Sequence, residues 1–373
     1  MSANNSSRHA HDNVGRLILA LLVSGTLGVS GTLGFLALPA RAATDGEHAT
    51  SVRSYSTETM GTVGNLQLAA ADSIAGAELA YEALLRFHHV DSLLSNWSQE
   101  SEIARVNRKA GSGWVELDVE LRAVLSAADT VHRESNGAFD PTIEPLVRLW
   151  GFLGGTPRVP QQSEIRATLD QVGWRRVLID SNRIRFDSVN TSLDLGGIAK
   201  GYGVDDAAAR LDAAGATSFL LDLSGNMIAR GAPPQRESWR IGIRDPRDLL
   251  PHLGTLAVTD VALATSGNYE QFVADSGKRY GHILDPRTGW PVEGMAQVTV
   301  LAESAMLADA WSTALFVLGP EAARELAAGR DDLTCILIER GESAELTVWI
   351  EHSLRSVYAP HPDLGENVTL RWF

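Results

Sequence analysis

A chain of 373 residues, 44% hydrophobic and 21% charged, holds enough apolar material for one large or two ordinary globular domains, which excludes a wholly disordered chain. Its 46 acidic residues against 32 basic ones give a net charge of −14. That is the reverse of the balance expected of a general nucleic-acid binder, so nucleic acid is set aside as a partner.

The first 42 residues differ in kind from the rest. A basic start (Arg8, Arg16) leads into the apolar run Leu17 to Leu38, closed by Pro39-Ala40-Arg41-Ala42-Ala43. Small residues at Ala40 and Ala42 make an Ala-x-Ala cleavage pattern, so residues 1–42 read as a secretory signal of an exported protein. The alternative is an uncleaved N-terminal anchor, because the run is long enough to span a bilayer. Its Gly, Ser and Thr content argues against anchoring. Residues 43–56 are polar and read as a flexible leader, which places the folded domain at 57–373.

Thr59 to Gly64 is strand-like with interspersed glycines. From Ala70 the apolar spacing predicts a long amphipathic helix reaching about Leu94. His88 and His89 lie near its end, but adjacent helical positions face different ways, and a histidine complements the dipole there. Ser95 to Ser98 is a turn and Ser101 to Asn107 a short helical segment. Asp118 caps a helix carrying Leu121, Val124, Leu125, Ala128 and Val131, which Asn136-Gly137 ends. Ser163 is read as the cap of a small helix, and Val177 to Leu195 as three short strands.

The stretch Ser192 to Asp205 reads as strand, tight turn and helix. Its paired glycines, Gly196 and Gly197, let the backbone approach a ligand, and the helix start offers amides to an anion. Asp194 and Lys200 flank the pair. The spacing fits neither a dinucleotide fingerprint nor a P-loop. Strands follow at 219–223, 239–244 and 297–301, and a helix at 305–318. The tripeptide Ser-Gly-Asn occurs at 224–226 and again at 266–268. Short apolar runs alternate with turns to the C-terminus. The only cysteine, Cys335, sits in an apolar strand-like run and reads as a buried thiol. Strands interspersed with helices, without regular βαβ repetition, predict an α+β fold with a mixed, largely antiparallel sheet and packed helices.

Chemistry-bearing residues fall in separated motifs. Asp309 and Thr313 are four apart, so their carboxylate and hydroxyl share a helical face and offer hard oxygen ligands of the kind Mg²⁺ accepts. The same spacing also fits an aspartate that solvates the helix and a threonine bonded back to its own backbone. Tyr280 to Gly289 places His282, Asp285 and Arg287 around a proline turn. The turn alone accounts for Asp-Pro-Arg-Thr-Gly but not for His282.

Taken together, Met60-Gly61-Thr62, Ser101-Glu102-Ile103 with Asn107, Gly137 to Thr142, Pro145 to Phe152, Asp194 to Asp205, Thr265 to Tyr269, Gly281 to Gly289 and Ala308 to Ala314 resemble the ApbE family of flavin transferases. The resemblance spans about residues 57 to 340. It implies an enzyme that uses Mg²⁺ and FAD and joins FMN through a phosphoester to a threonine or serine of an acceptor protein, releasing AMP. By the family pattern, Asp309, the Thr313 hydroxyl and the Gly197 carbonyl would hold the metal. FAD would meet Met60, Trp97, Ala138, Phe139, Asp140, Asp194, Lys200 and Ile283, with His282 near the pyrophosphate. His282 is the candidate general base, with Asp285 in reserve. The family expectation for partners is acceptor flavoprotein subunits of membrane redox complexes, with action in the periplasm and association with the inner membrane. The sequence departs from the family at Ser224-Gly225, where a glycine pair is common. A hydrolase yielding FMN and AMP, and an exported protein that only stores FAD, stay open as alternatives; an intact Asp309/Thr313 pair favours catalysis over storage.

Overall fold

The computed structural model describes residues 50–268, 271–341 and 345–373. Among them is a nine-stranded sheet whose spatial order follows the chain: Ser51–Thr59, Thr62–Ala70, Phe219–Leu223, Asn226–Arg230, Val261–Gly267, Met295–Ala302, Leu333–Arg340, Leu346–Ile350 and Val368–Trp372. Every neighbouring pair is antiparallel except the last, which is parallel. The expected α+β class with a mixed, largely antiparallel sheet is therefore observed.

Eight helices are described: α1 (Ser73–Leu94), α2 (Glu102–Arg108), α3 (Val119–Glu134), α4 (Glu144–Leu149), α5 (Gln162–Leu169), α6 (Ala199–Ala213), α7 (Ala305–Leu318) and α8 (Pro320–Ala328). None among the described residues is long and apolar enough to cross a membrane. Alternation along the strands divides the core in two. Leu66, Leu68, Phe219 and Leu221 point to one face and meet Phe87 of α1 and Leu211 of α6. Leu220, Leu301, Ile336 and Ile338 point to the other, where the small sheet of 239–243, 254–258 and 358–360 covers them. The strand Met295–Ala302 is buried along its whole length because both of its faces are covered.

The chain-order expectations meet several corrections. The polar leader ends early. Residues from Ser51 onward form the edge strand, with Ser51 opposite Ala70 and Thr59 opposite Thr62. Its alternate residues face solvent while Tyr55 is buried, so a half-exposed edge strand looked like a polar leader. Between the first two strands, Met60 and Gly61 form a two-residue hairpin loop with φ of 49° and 68°, the type that favours Asn-Gly. A methionine there costs about 1 kcal/mol of backbone strain. The small helix α5 is preceded by Gln161, whose backbone N–H donates to Glu164 at 2.7 Å, rather than capped by Ser163.

Of the three strands expected between 177 and 195, two form, Val177–Asp180 and Arg183–Phe186. The third, around Leu193, is extended chain outside any sheet. Its backbone is satisfied by side chains instead: the Leu193 N–H donates to Asn107 Oδ1 at 2.8 Å, and its carbonyl accepts from Asn107 and Asn96 at 2.9 and 2.8 Å. Two asparagines thus replace a neighbouring strand. His88 pairs with Thr57 Oγ1 at 2.8 Å, and His89 with Glu120, so each histidine serves a side-chain contact between elements.

The helix after this segment is fixed by α7. Asp205 of α6 accepts hydrogen bonds from the Ala305 and Met306 amides at 2.8 and 2.9 Å and from Ser304 Oγ at 2.6 Å. It caps the start of α7 from another helix. Asp205→Ala leaves three donors without a partner in a largely buried place, and a loss of about 3 kcal/mol is expected in denaturant unfolding. An unchanged midpoint and slope would show that the cap is dispensable.

Candidate active site

One cavity of about 640 Å³ opens where the hairpin loops at 60–61 and 224–225 meet the segment before α6 and the face of α7, a volume in the usual range for a small-molecule site. It brings together residues that are far apart in the chain. Met60, Trp97, Ala138, Phe139, Asp140, Asp194, Gly197, Lys200, His282, Ile283, Asp309 and Thr313 all line it. Trp97 stands at its rim, 68% exposed, available as a flat surface for a ring.

Several of these residues are also fixed by local chemistry. Asp140 spends its carboxylate on the fold. Oδ1 accepts from the Thr142 N–H and hydroxyl at 2.8 and 2.6 Å, and Oδ2 from the Trp174 N–H at 3.1 Å. Asp194 Oδ1 accepts from the Gly196 N–H at 2.8 Å, folding the turn back on itself. Burial raises its pKa above the usual carboxylate range, and the Glu144 charge adds to this. Lys200 reaches back to the Gly196 carbonyl at 3.3 Å and is the only lysine or arginine among the described lining residues.

Asp285 does not line the cavity. Both its oxygens are engaged by Arg287, through Nε at 2.8 Å and a second guanidinium nitrogen at 2.9 Å, and the Arg287 amide donates to it as well. The Asp-Pro-Arg-Thr-Gly segment is a self-braced turn, and its aspartate is no reserve base. His282 is different. Its Nδ1 lies 3.3 Å from the Gln271 carbonyl, which can only accept, so Nδ1 carries the proton and Nε2 keeps a lone pair. Burial is the main cause that pushes this imidazole down to about 4; the Gln271 hydrogen bond opposes it and the Lys200 charge adds to it.

The residues of the expected metal set come from two elements that share the cavity, α7 and the segment before α6. Asp309 is 4% exposed and accepts from the Gly201 N–H at 2.9 Å. A Cβ on Gly197 would lie 3.0 Å from Thr313 Oγ1 and 3.3 Å from the Phe139 ring. The glycine is therefore there to let its main chain lie against the α7 hydroxyl. Among the described residues no cluster of three or more His, Cys, Asp or Glu forms a metal site. A hard cation here would be held by one carboxylate, one hydroxyl and one carbonyl, leaving positions for ligand oxygens.

Part of the wall comes from residues that the motifs contain but to which no site role was assigned. Ser224, Asn226, Ser266 and Gly267 line the cavity, so the two Ser-Gly-Asn copies are neighbours in space, joined where the Thr265 N–H donates to the Gly225 carbonyl at 3.1 Å. Ser224 adopts a φ of 55°, the conformation a glycine takes without cost. Asn226 is buried and its Oδ1 has no hydrogen-bond partner in the protein. The repeated tripeptide was the signal for these residues. Two copies of three residues carried no information about proximity.

A largely antiparallel sheet with helices on one face, and a cavity whose described lining offers carboxylates, hydroxyls and one lysine, define an α+β protein built to hold a charged, ring-bearing ligand. The chain belongs to the ApbE family, whose model matches residues 60–337. It is 30% identical over 343 residues to the FAD:protein FMN transferase of Haemophilus influenzae, covering 87% of this chain and 95% of that protein. Among solved structures it is similar to the flavin transferase ApbE from Vibrio cholerae, with a TM-score of 0.75 at 29% identity over 83% of this chain and 99% of that one. The apo flavinyl transferase ApbE of Pseudomonas stutzeri gives 0.73 at 31% identity, over 83% and 97%.

Proposed function

We propose that this protein transfers FMN from FAD to a threonine or serine hydroxyl of an acceptor protein, releasing AMP. The observation that carries the reading is the convergence of Asp309, Thr313, the Gly197 main chain and Lys200 on one cavity wall. Three aspartates line the cavity against one lysine, so a pyrophosphate entering alone would meet net repulsion. The donor set suits Mg²⁺, held by Asp309, the Thr313 hydroxyl and the Gly197 carbonyl. When bound, the ion supplies charge neutralisation at the pyrophosphate oxygens.

The protein's own groups account for the rest. Lys200, in the first turn of α6, is the cation the lining offers to the phosphates. Met60, Phe139, Ile283 and the rim residue Trp97 give apolar surface to the flavin or adenine ring. The acceptor oxygen forms a bond to the FMN phosphorus as the pyrophosphate P–O bond breaks. AMP leaves with the bridging oxygen, and the hydroxyl proton passes to His282 Nε2.

Incubation with FAD, Mg²⁺ and a flavoprotein subunit bearing an acceptor threonine is expected to yield FMN on the acceptor by mass spectrometry. Free FMN and AMP with an unmodified acceptor would make the protein a hydrolase, and bound, unchanged FAD would make it a carrier. The signal read in residues 1–42 lies outside the described residues; it supports export to the periplasm, with subunits of membrane redox complexes as acceptors. N-terminal sequencing of the membrane and soluble periplasmic fractions distinguishes cleavage near Ala43 from anchoring at the inner membrane.

His282 sets the pH dependence. With its imidazole down near 4, the ring is neutral and accepting at neutral pH, and activity falls only as acid protonates Nε2. Bound pyrophosphate favours the protonated ring, so the acid limb of kcat is expected at higher pH than that of kcat/KM. His282→Gln should lower kcat about 100-fold and remove the acid limb. A variant that keeps the wild-type limb takes His282 out of the proton path.

A further inference from the structure

Ser312 is fully buried on α7, in a stretch whose Ala308, Ala310, Trp311, Ala314 and Leu315 are buried apolar residues. A buried hydroxyl left without partners costs about 1–3 kcal/mol, so its partners are informative. Ser312 Oγ donates to the Asp309 carbonyl at 2.9 Å and lies 2.8 Å from Ser266 Oγ. Ser266, on the strand Val261–Gly267, lies 3.3 Å from Thr313 Oγ1 and lines the cavity.

The direction of this hydroxyl chain follows from its closed end. A carbonyl has no hydrogen to give, so the Ser312 proton goes to Asp309. The 2.8 Å contact then requires Ser266 to donate to Ser312, which uses the one hydroxyl hydrogen Ser266 has. The remaining contact runs from the Thr313 hydroxyl to Ser266. Thr313 therefore directs its hydrogen away toward the strand and keeps lone pairs for the side occupied by the Gly197 main chain.

We propose that Ser266 and Ser312 are positioning residues that polarise the Thr313 hydroxyl, fixing it as an acceptor so that the cavity wall offers three oxygen lone-pair donors to a divalent cation. The proposal rests on the metal reading of Asp309, Thr313 and Gly197, and it goes beyond that reading by making affinity depend on two serines that touch no metal. Removing either breaks the order. Without Ser266, Thr313 loses its acceptor; without Ser312, the Ser266 hydrogen is released to point at Thr313. Partners of this kind that orient metal ligands typically alter metal affinity by roughly 10- to 100-fold.

The test is direct binding of Mn²⁺ in the presence of ADP, followed by the electron paramagnetic resonance signal of free Mn²⁺ on the full chain, with thermal unfolding of every variant. Ser266→Ala and Ser312→Ala are each expected to weaken Mn²⁺ binding about 10-fold or more at a near-wild-type melting temperature, and Ser266→Thr to restore it. Folded serine variants that bind Mn²⁺ like the wild type, while Thr313→Ala and Asp309→Asn lose it, overturn the relay alone. If Thr313→Ala and Asp309→Asn also bind Mn²⁺ unchanged, the metal reading fails and the relay with it.

Discussion

Asp309→Asn is expected to lower FMN transfer on the order of 1,000-fold while leaving the melting temperature close to wild type. The two halves of this expectation separate two jobs of one side chain. Asp309 is buried in α7 and its Oδ2 accepts from the Gly201 amide, one of the otherwise unpartnered amides in the first turn of α6. Asparagine retains an oxygen for that amide but gives up the negative charge a divalent cation needs. Asp309→Ala gives up both, and adds the roughly 1–3 kcal/mol cost of a buried amide left unbonded to the loss of activity. Mass spectrometry of the acceptor reads the first effect and thermal unfolding the second. An asparagine variant with wild-type transfer would leave Asp309 as a helix cap only.

How much of this was legible in the sequence depends on what kind of information each feature needs. The helix at 305–318, the cap at Asp118 and the strand at 219–223 declare themselves locally, through periodicity and capping chemistry. Leu193 does not. Its alternating neighbours look like a strand, and only Asn96 and Asn107, 97 and 86 residues away, show why no partner strand is required. The candidate site was assembled through motif order and family resemblance, since no single motif brings Met60 to Thr313. Asp285 shows the opposite failure. A carboxylate two residues before an arginine in a proline turn is self-satisfied, and only the bidentate contact to Arg287 reveals it. Ser266 and Ser312 stand inside the motifs at 265–269 and 308–314, but their connection was not legible there, because a hydroxyl chain depends on distances across α7 and its neighbouring strand.

Gly201→Ala is expected to destabilise the protein by about 3 kcal/mol or more and to abolish transfer with it. In the sequence the pair Gly196-Gly197 is read as the place where the main chain approaches a ligand, and Gly201 is given no role. Gly197 fits that description, lying against Thr313, whereas Gly201 is a point of contact between helices. An added Cβ there would lie 2.2 Å from the Ala305 carbonyl oxygen and 2.7 Å from Met306 Cα. Both are backbone atoms at the start of α7, so no side chain can rotate away, and the helices would have to separate. Separation breaks two caps at once, because the helices cap each other: Asp309 of α7 holds the Gly201 amide, and Asp205 of α6 holds those of Ala305 and Met306. It also moves Gly197, just before α6, away from Thr313 on α7. Stability and the proposed metal site are thus tied to one missing methyl group. The variant should unfold roughly 5–10 °C lower and, where still folded, bind Mn²⁺ poorly. A variant with wild-type melting would mean that α6 and α7 can part without cost, and the reciprocal capping would then not be what holds the site together.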